Sequence, residues 1–380
     1  MNDDELREGL VGLLAERGRL HSPQWRETVL ATPRHEFLRG GFFRHVPDSM
    51  PTAWAPVMPD HPDWLSACYT DESLITQIAG TIVPADVRGQ ILREPTSSST
   101  LPSLVVRMLE DLQVEDGARV LEIGTGTGYS TALLCHRLGE DLVTSVEVDA
   151  DVSARAAAAL GAVGFVPNLV AADGLAGHKD GAPYNRVIAT CGVLRIPREW
   201  INQTVPGGIV LATLCGWMHS SELVRLTVHD DGSASGPFLG GRVSFMLARP
   251  HHPPAPGMLP DTSVGDSRET EVGANALDDW TTRFVAQIAA PNAQRLQLGE
   301  AGDVLLDVEA GAWALLYRVG DTWRVRQGGP ARLWDDIEKH ITQWQGAGAP
   351  GLDRFGLTVT PGGEHRFWLD TPECPLPAAG

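Results

Sequence analysis

The chain has 380 residues, a length that usually corresponds to more than one domain. Hydrophobic residues make up 43% and charged residues 21% of it, which is typical of a folded globular protein and argues against wholesale disorder. The net charge of -18 disfavours nucleic acid and anionic membrane surfaces as partners, because their phosphates would be repelled.

Five cysteines are scattered along the chain without a C-x-x-C pair, which indicates reduced thiols and no zinc site. His251 and His252 are adjacent, but no second cluster of metal-ligand residues accompanies them. The acidic N-terminus lacks the apolar core of a signal peptide, and no apolar run approaches the roughly 20 residues of a membrane span. We therefore expect a soluble, cytoplasmic protein with no metal site.

Three folded segments follow one another along the chain. Residues 1–95 begin with an amphipathic helix and continue rich in Pro, Trp and His, which predicts a cap of short helices and loops. Within residues 96–249, short apolar runs alternate with helical stretches, which is typical of an α/β core with a mostly parallel sheet. Residues 250–276 are dense in Pro and Gly and predict a linker, and residues 277–380 predict a C-terminal α+β domain.

The most informative motif is "VLEIGTGTGYS", Val120 to Ser130, in which an apolar strand runs into three glycines and a helix. Glycines at such a turn allow positive φ and the close approach of a ligand. Tyr129 replaces the third glycine of the dinucleotide fingerprint, and the lysine of a P-loop is absent. A tight turn with no ligand stays open as the alternative. The remaining pattern looks like the S-adenosylmethionine site of class I methyltransferases, which have a Rossmann-like, mostly parallel seven-stranded sheet.

Acidic residues end the strands on either side of this loop. Glu122 ends the first strand and suits a cationic ligand, and Glu147 ends the second, where it can accept hydrogen bonds from ribose hydroxyls. Asp173 and Gly174 close the third strand and are expected near the adenine. The predicted cofactor site consists of Glu122, Gly124, Thr125, Gly126, Gly128, Tyr129, Glu147, Asp173 and Gly174.

A run of five hydroxyl residues, "TSSST" at positions 96 to 100, lies between the cap and the core. Such a run next to prolines usually marks a flexible linker. The alternative is that its hydroxyls face a reacting group. A carboxylate acceptor would suit them, because it is already ionised at pH 7 and needs neutral donors rather than a base.

Residues 32 to about 232 resemble the protein-L-isoaspartate O-methyltransferases, which esterify a peptide carboxylate. The similar segments are "TPRHEFL", "YTDESLIT", "SSTLPSLVVRMLEDL", "LEIGTGTGY", "APYNRVIAT" and "IPREWINQTVPGGIVL". The resemblance aligns Thr100 with the family's active-site serine and Ser98 with the preceding threonine, so these two are the predicted catalytic residues. The family's upstream G-Q-T is absent, and the repair enzymes of the family are expected to lack a long C-terminal extension.

A closer likeness is to the subgroup found with ATP-grasp enzymes in gene clusters for cross-linked ribosomal peptides (graspetides). "PSLVVRMLEDL", "TGYSTALLCHRLG" and "IATCGVLRIP" resemble that subgroup. The resemblance implies methylation of an aspartate in a modified precursor peptide, leading to aspartimide or isoaspartate, with the C-terminal domain as the candidate for peptide recognition. Two alternatives remain: repair of isoaspartyl residues in damaged proteins, and a non-catalytic binding subunit that keeps the cofactor fold.

Overall fold

The computed structural model describes residues 2–376 and divides the chain into two compact units. Unit 1 consists of Met1–Thr190 and Glu199–Leu211, and unit 2 consists of Cys191–Arg198 and Ala212–Gly380. No helix among the described residues is long and apolar enough to cross a membrane. The five cysteines form no disulfide.

Unit 1 contains most of the helices and the parallel strands. Its elements in chain order, of which β8, α7 and β9 have some residues in unit 2, are α1 (Asp3–Glu16), α2 (Pro23–Ala31), β1 (Phe42–His45), β2 (Trp54–Val57), α3 (Trp64–Ala67), β3 (Leu74–Ile78), β4 (Pro95–Ser99), α4 (Pro102–Asp111), β5 (Val120–Ile123), α5 (Tyr129–Leu138), β6 (Val143–Glu147), α6 (Ala150–Ala162), β7 (Asn168–Ala171), β8 (Tyr184–Val193), α7 (Arg198–Asn202) and β9 (Thr204–Cys215). Short 3-10 helices lie at Arg34–Leu38, Pro84–Asp86, Glu140–Leu142, Gly174–Ala176 and Lys179–Gly181.

The N-terminal region contains short helices, as the sequence predicts, and also a four-stranded sheet that the sequence did not predict. The strand order is β2-β1-β3-β4, and each pairing is antiparallel. These strands have only four or five residues each, and β2 carries Pro56, which an edge strand tolerates because one side of it needs no ladder hydrogen bonds. Short strands of mixed polarity carry little periodicity, so the sequence pattern does not reveal them.

The strands behind the glycine motif form the expected parallel arrangement. In unit 1 their order is β7-β6-β5-β8-β9, and β5 pairs in parallel with both β6 and β8, as β6 does with β7. All four residues of β5 are buried, as in a sheet covered on both faces by helices. Gly128 precedes α5 with φ +88°, and Gly139 ends the helix with the same φ, a conformation that favours glycine.

Unit 2 contains the remaining elements. They are β10 (Ser221–Val228), β11 (Ala234–Pro237), β12 (Asp266–Glu269), α8 (Trp280–Ala289), β13 (Gln294–Gln297), β14 (Asp303–Asp307), β15 (Ala312–Val319), β16 (Thr322–Gly328), α9 (Leu333–Gly346), β17 (Phe355–Val359) and β18 (His365–Leu369). Its 3-10 helices are Arg249–His251, Ala274–Asp278, Gly299–Ala301 and Leu352–Arg354.

The named strands of unit 2 pair antiparallel in two sets, so the sheets are mixed and the expected mostly parallel, seven-stranded sheet is not confirmed. One set runs β10-β11-β17-β18 and the other β12-β16-β15-β14-β13. The reason is connectivity: parallel strands need long crossovers, whereas short turns such as 229–233 return the chain antiparallel to itself.

The segment 250–276, predicted as a linker, is partly built into the fold of unit 2. Strand β12 lies inside it and pairs with β16 over four residues. The Thr262 carbonyl accepts a hydrogen bond from Arg326, and the Pro254 carbonyl accepts one from Gln294. The Pro and Gly content therefore marks irregular backbone that packs on a sheet, rather than a free tether.

Candidate functional site

The hydroxyl run is strand β4 followed by one residue, and it is not a flexible linker. Its side chains alternate, with Ser97 and Ser99 buried and Thr96 and Ser98 half-buried, as the period of a strand requires. Ile75 of β3 pairs with Ser98. The residues that the sequence left as loop have bonded side chains, since Thr96 donates to Gln77 (2.8 Å) and the Ser97 hydroxyl accepts from Thr76 (3.4 Å).

Ser98 and Thr100, the predicted catalytic residues, differ from their neighbours in having unused hydroxyls. Both are half-buried, and within residues 2–376 neither side chain makes a hydrogen bond. The strand alternation brings them to the same side as Thr96. They are therefore available to a ligand, and their catalytic roles remain predictions.

Arg34 stabilises this strand through hydrogen bonds, although the sequence did not single it out as a site residue. Its side chain has no exposed surface, and its guanidinium donates to the backbone carbonyls of Cys68, Thr70, Glu72, Ser99 and Thr100, at 2.9–3.2 Å. Its Nε also lies 3.4 Å from the Ser99 hydroxyl. Burial lowers its pKa, and the five carbonyl acceptors compensate for lost hydration.

The start of α4 is fixed by residues of the "YTDESLIT" segment. Asp71 accepts a hydrogen bond from the Ser103 backbone (2.8 Å), and the Ser73 hydroxyl accepts one from Leu101 (3.1 Å). The Asp71 carboxylate also forms an ion pair with Arg17 at 2.5 Å. A carboxylate at the N-terminus of a helix satisfies an amide that has no partner inside the helix. The backbone of Thr100 is thus fixed by the hydrogen bond from Arg34 to its carbonyl and by the capped helix α4 that follows it.

The glycine loop runs directly against this strand. Gly124, Gly126 and Gly128 all have positive φ, at +93°, +55° and +88°. A Cβ placed on Gly126 would lie 3.3 Å from the Ser98 carbonyl oxygen, so the loop and the hydroxyl strand are in contact. A Cβ on Gly128 would press on Ala156 and Leu160 of α6. The glycines therefore serve close packing as well as ligand approach.

Glu147 ties the end of β6 to the loop. One of its carboxylate oxygens accepts from the Gly126 backbone (3.0 Å), and the other accepts from Asp149 (3.1 Å). Asp149 caps α6 through two backbone amides and accepts from Gln77, which in turn accepts from Thr96. Each carboxylate oxygen has a second lone pair, so Glu147 can still accept a hydrogen bond from a hydroxyl of a ligand.

The carboxylate of Glu122, predicted to suit a cationic ligand, points into the protein. It has no exposed surface and accepts hydrogen bonds from the hydroxyls of Ser130 (2.5 Å), Thr131 (2.5 Å) and Ser145 (2.7 Å). Burial raises its pKa, and these hydroxyls oppose the shift. Glu122 thus fixes the first turn of α5 against β5 and β6. These internal bonds make it a positioning residue, and its contact with a cationic ligand remains a prediction.

Thr125 and Tyr129 are also largely internal. The Thr125 hydroxyl lies 2.7 Å from the Ser145 hydroxyl and extends the network of Glu122. Tyr129 is 3% exposed, with its ring beside Phe37 and the Arg34 guanidinium. Burial raises the pKa of Tyr129 to about 12. These two side chains stabilise the loop, and any contact they make with a cofactor would be through the backbone.

Asp173 and Gly174 lie at the turn after β7. Asp173 is exposed and accepts from Leu175 at the start of a 3-10 helix (2.9 Å). Gly174 is buried, its carbonyl accepts from the Trp200 indole (2.8 Å), and a Cβ there would lie 2.5 Å from Ile123. Glycine is therefore required by packing, whereas Asp173 is free to meet a ligand.

These residues fit S-adenosylmethionine at the carboxyl ends of β5, β6 and β7. The accessible backbone of Gly124 and Gly126 allows close approach, and the carboxylates of Glu147 and Asp173 can accept from hydroxyl and amino groups. Ligands of open α/β sheets bind at this edge. The parallel strands and the glycine loop together are those of the class I S-adenosylmethionine-dependent methyltransferase fold. Among residues 2–376 no group of His, Cys, Asp or Glu is arranged to hold a metal ion.

Comparison with known proteins identifies the family. Residues 82–238 match the family model for protein-L-isoaspartate(D-aspartate) O-methyltransferase. The enzyme of that name from Myxococcus xanthus is 30% identical over 176 residues, covering 43% of this chain and 82% of the relative. The chain therefore belongs to the protein-L-isoaspartate O-methyltransferase family.

Two further comparisons define how far the likeness extends. Protein-L-isoaspartate O-methyltransferase 1 of Rhodopseudomonas palustris is 38% identical over 127 residues, covering 33% of this chain and 51% of that relative. The chain spans only about half the length of this relative and 59% of two from Anaeromyxobacter dehalogenans. A solved protein-L-isoaspartate O-methyltransferase covers 96% of this chain and 100% of its own, with a TM-score of 0.57 and 22% identity.

The fold of the solved structure extends over nearly the whole of this chain, beyond the residues that match the family model. At 22% identity this likeness shows the fold alone.

Proposed function

We propose that this protein transfers a methyl group from S-adenosylmethionine to a carboxylate of a peptide. The observation that carries the proposal is the placement of Ser98 and Thr100. Their unbonded, half-buried hydroxyls lie on a strand that contacts Gly126 of the glycine loop. When bound, S-adenosylmethionine supplies a methyl group on a positively charged sulfur, and positioning of the acceptor supplies most of the rate of such a displacement.

A carboxylate suits this acceptor strand better than an amine or an alcohol does. A carboxylate with a pKa of about 4 is ionised at neutral pH and needs no base. The hydroxyls of Ser98 and Thr100 can hold it as neutral donors. Arg34 places a buried positive charge behind Ser99 and Thr100, which also favours an anionic acceptor.

For the substrate, we propose an aspartate side chain in a cross-linked precursor peptide of the graspetide type. The support is the sequence likeness of "PSLVVRMLEDL", "TGYSTALLCHRLG" and "IATCGVLRIP" to the methyltransferases of such clusters. The methyl ester is a better acyl donor than the carboxylate. The following backbone nitrogen attacks its carbonyl, loses its proton and expels methanol. The product is an aspartimide, which water can open to isoaspartate.

The second candidate is repair of isoaspartyl residues in damaged proteins. Family membership and the whole-length fold of the solved relative favour it, because both are shared with proteins named for that substrate. Both candidates use the same carboxylate site. They differ only in what surrounds the reacting carboxylate.

One set of parallel incubations separates the two candidates. The protein is mixed with S-adenosylmethionine and, in parallel, with a peptide cross-linked by an ATP-grasp enzyme, an isoaspartyl peptide, and the same peptide with ordinary aspartate. Mass spectrometry that shows a transient methyl group and then net loss of water from the cross-linked peptide alone supports the first candidate. Methylation of the isoaspartyl peptide alone supports repair. No methylation of any of them, despite binding of S-adenosylhomocysteine, would indicate a binding subunit and contradict the proposal.

A further inference from the structure

Unit 2 contains a cavity that the proposed methyl transfer does not use. Its volume is about 750 Å³, within the roughly 300–1,000 Å³ range of ligand sites. Its walls include strand β18 with the turn before it, helix α8, the end of β9 with residues 194–195, and residues near the C-terminus such as Pro375 and Leu376. We call it the β18 cavity. Every residue that lines it belongs to unit 2.

The lining combines apolar surface with charged side chains, two from arginines and one from Glu364. Phe284, Ile288 and Phe367 contribute apolar side chains. Arg195 and Arg366 also line it; Arg366 pairs with Glu364 at 2.7 Å. Arg195 is exposed, and its side chain makes no hydrogen bond or ion pair with the part of the chain that the structure describes. In a protein with a net charge of -18, a free cation beside an apolar cavity favours an anionic ligand with an apolar group.

Strand β18 presents its edge at this cavity. On its other side it pairs with β17. At one end of the edge Pro375 forms an isolated antiparallel bridge with Trp368, in which Leu376 donates to the Phe367 carbonyl (2.8 Å) and Leu369 donates to the Cys374 carbonyl (3.0 Å). Backbone groups of alternate residues point to the same side of a strand, so those of His365 face the same edge as the Phe367 carbonyl. An extended segment with a leucine thus already pairs with this edge.

The side chain of His365 supplies an unused acceptor at the same place. Its Nε2 is buried and has no partner among residues 2–376. The backbone of Ile196 makes a hydrogen bond with the ring and raises its pKa, so the other nitrogen carries the proton. Burial lowers the pKa of His365 to about 4, and the ring is neutral at pH 7. The Nε2 lone pair can therefore accept from an N–H group of a ligand.

We propose that the β18 cavity binds an extended segment of the peptide substrate, which adds as a strand to the edge of β18. An apolar side chain of the segment enters the cavity beside Ile288, and an acidic residue meets Arg195. The backbone of the segment pairs with His365, because the Phe367 carbonyl is already bonded to Leu376. This inference rests on the proposed function for the existence of a peptide substrate, and it assigns unit 2 the task of holding that peptide. Strand addition gives affinity through backbone hydrogen bonds and specificity through side-chain pockets.

The test measures binding of a probe to the full-length protein. The probe is the acetylated, amidated peptide Glu-Asp-Leu-Asp-Glu-Leu, titrated calorimetrically, with hydrogen–deuterium exchange read at β18. Ile288→Trp fills the cavity, Arg195→Glu reverses the free charge, and Val319→Trp is the control because Val319 is 57% exposed and does not line the cavity. Melting temperatures of all variants establish that they are folded.

We expect the probe to slow exchange at His365, and to bind Ile288→Trp and Arg195→Glu about tenfold more weakly than the wild type. The Val319→Trp control should bind as the wild type does. The inference is wrong if the probe fails to bind the wild type, if binding leaves exchange at β18 unchanged, or if folded Ile288→Trp binds with unchanged affinity. A wild-type protein that binds the probe at β18 but methylates no peptide would contradict the proposed function alone. Normal methylation with an unchanged peptide KM in Ile288→Trp would contradict this site alone.

Discussion

Replacement of Arg34 by lysine should destabilise the hydroxyl strand and slow methyl transfer. The guanidinium donates to five backbone carbonyls, and an ammonium group can donate to at most three. At least two buried carbonyls therefore lose their donor. At about 1–3 kcal/mol for each, the variant should lose about 2–6 kcal/mol of folding free energy.

The loss of stability in Arg34→Lys should be local to the hydroxyl strand as well as global. Hydrogen–deuterium exchange should quicken in residues 68–72 and 99–100, the segments that Arg34 joins, and urea unfolding should shift to a lower midpoint. Affinity for S-adenosylhomocysteine should fall less than methyl transfer does, because the glycine loop keeps its own contacts with Glu147.

Arg39→Lys is the matched control. Arg39 directly follows the same 3-10 helix, and its side chain is 60% exposed and, within residues 2–376, pairs only with Glu36. This change should alter stability by no more than about 0.5 kcal/mol. The reasoning is refuted if Arg34→Lys unfolds at the same urea concentration as Arg39→Lys and shows the same exchange in residues 99–100.

Three further changes test other parts of the account. Gly126→Ala should cost about 1–2 kcal/mol of folding free energy from its positive φ and, by displacing the loop from Ser98, weaken S-adenosylhomocysteine binding about tenfold in calorimetry. Gly139→Ala is the control, because Gly139 also has positive φ but its Cβ would meet no described residue within 4 Å, so affinity should be unchanged. Thr100→Val keeps the shape but removes the hydroxyl, so kcat/KM should fall about 10–100-fold with cofactor affinity near normal, and full activity would remove Thr100 from the mechanism. Burial lowers the pKa of His365 to about 4, against about 6.5 in the unfolded chain, so the unfolded state binds the proton more readily below pH 7. The folding free energy of unit 2 should therefore fall by about 2 kcal/mol between pH 7 and pH 5. His365→Phe should flatten this pH dependence in urea unfolding.

The glycine loop and the order of its strands could be predicted from the sequence, because each has a strong local signal. Three glycines between an apolar strand and a helix require a tight turn, and the structure gives all three positive φ. The acid that ends the second strand also lies where the spacing indicated, bonded to Gly126. What spacing could not give is the direction of a side chain. Glu122 ends a strand in the same way, yet its carboxylate points inward because Ser130, Thr131 and Ser145 supply donors there.

The hydroxyl strand could not be recognised from its own residues. A strand is read from alternating apolar and polar side chains, and β4 alternates between buried and half-buried hydroxyls, which look identical in sequence. Its stability comes from Gln77 and Arg34, which are distant along the chain. The motif that contains Arg34 was visible as a resemblance, but its five carbonyl partners depend on tertiary contacts that no local pattern encodes.

The most direct test of the central claim is the chemistry of the transferred methyl group. The protein is incubated with methyl-labelled S-adenosylmethionine and each test peptide, quenched in acid and then treated with mild base. A carboxylate acceptor predicts that the label leaves as methanol, because an ester is cleaved by base, and that Thr100→Val transfers much less of it. Label that stays on the peptide after base would mean a nitrogen or ether linkage and would contradict the account.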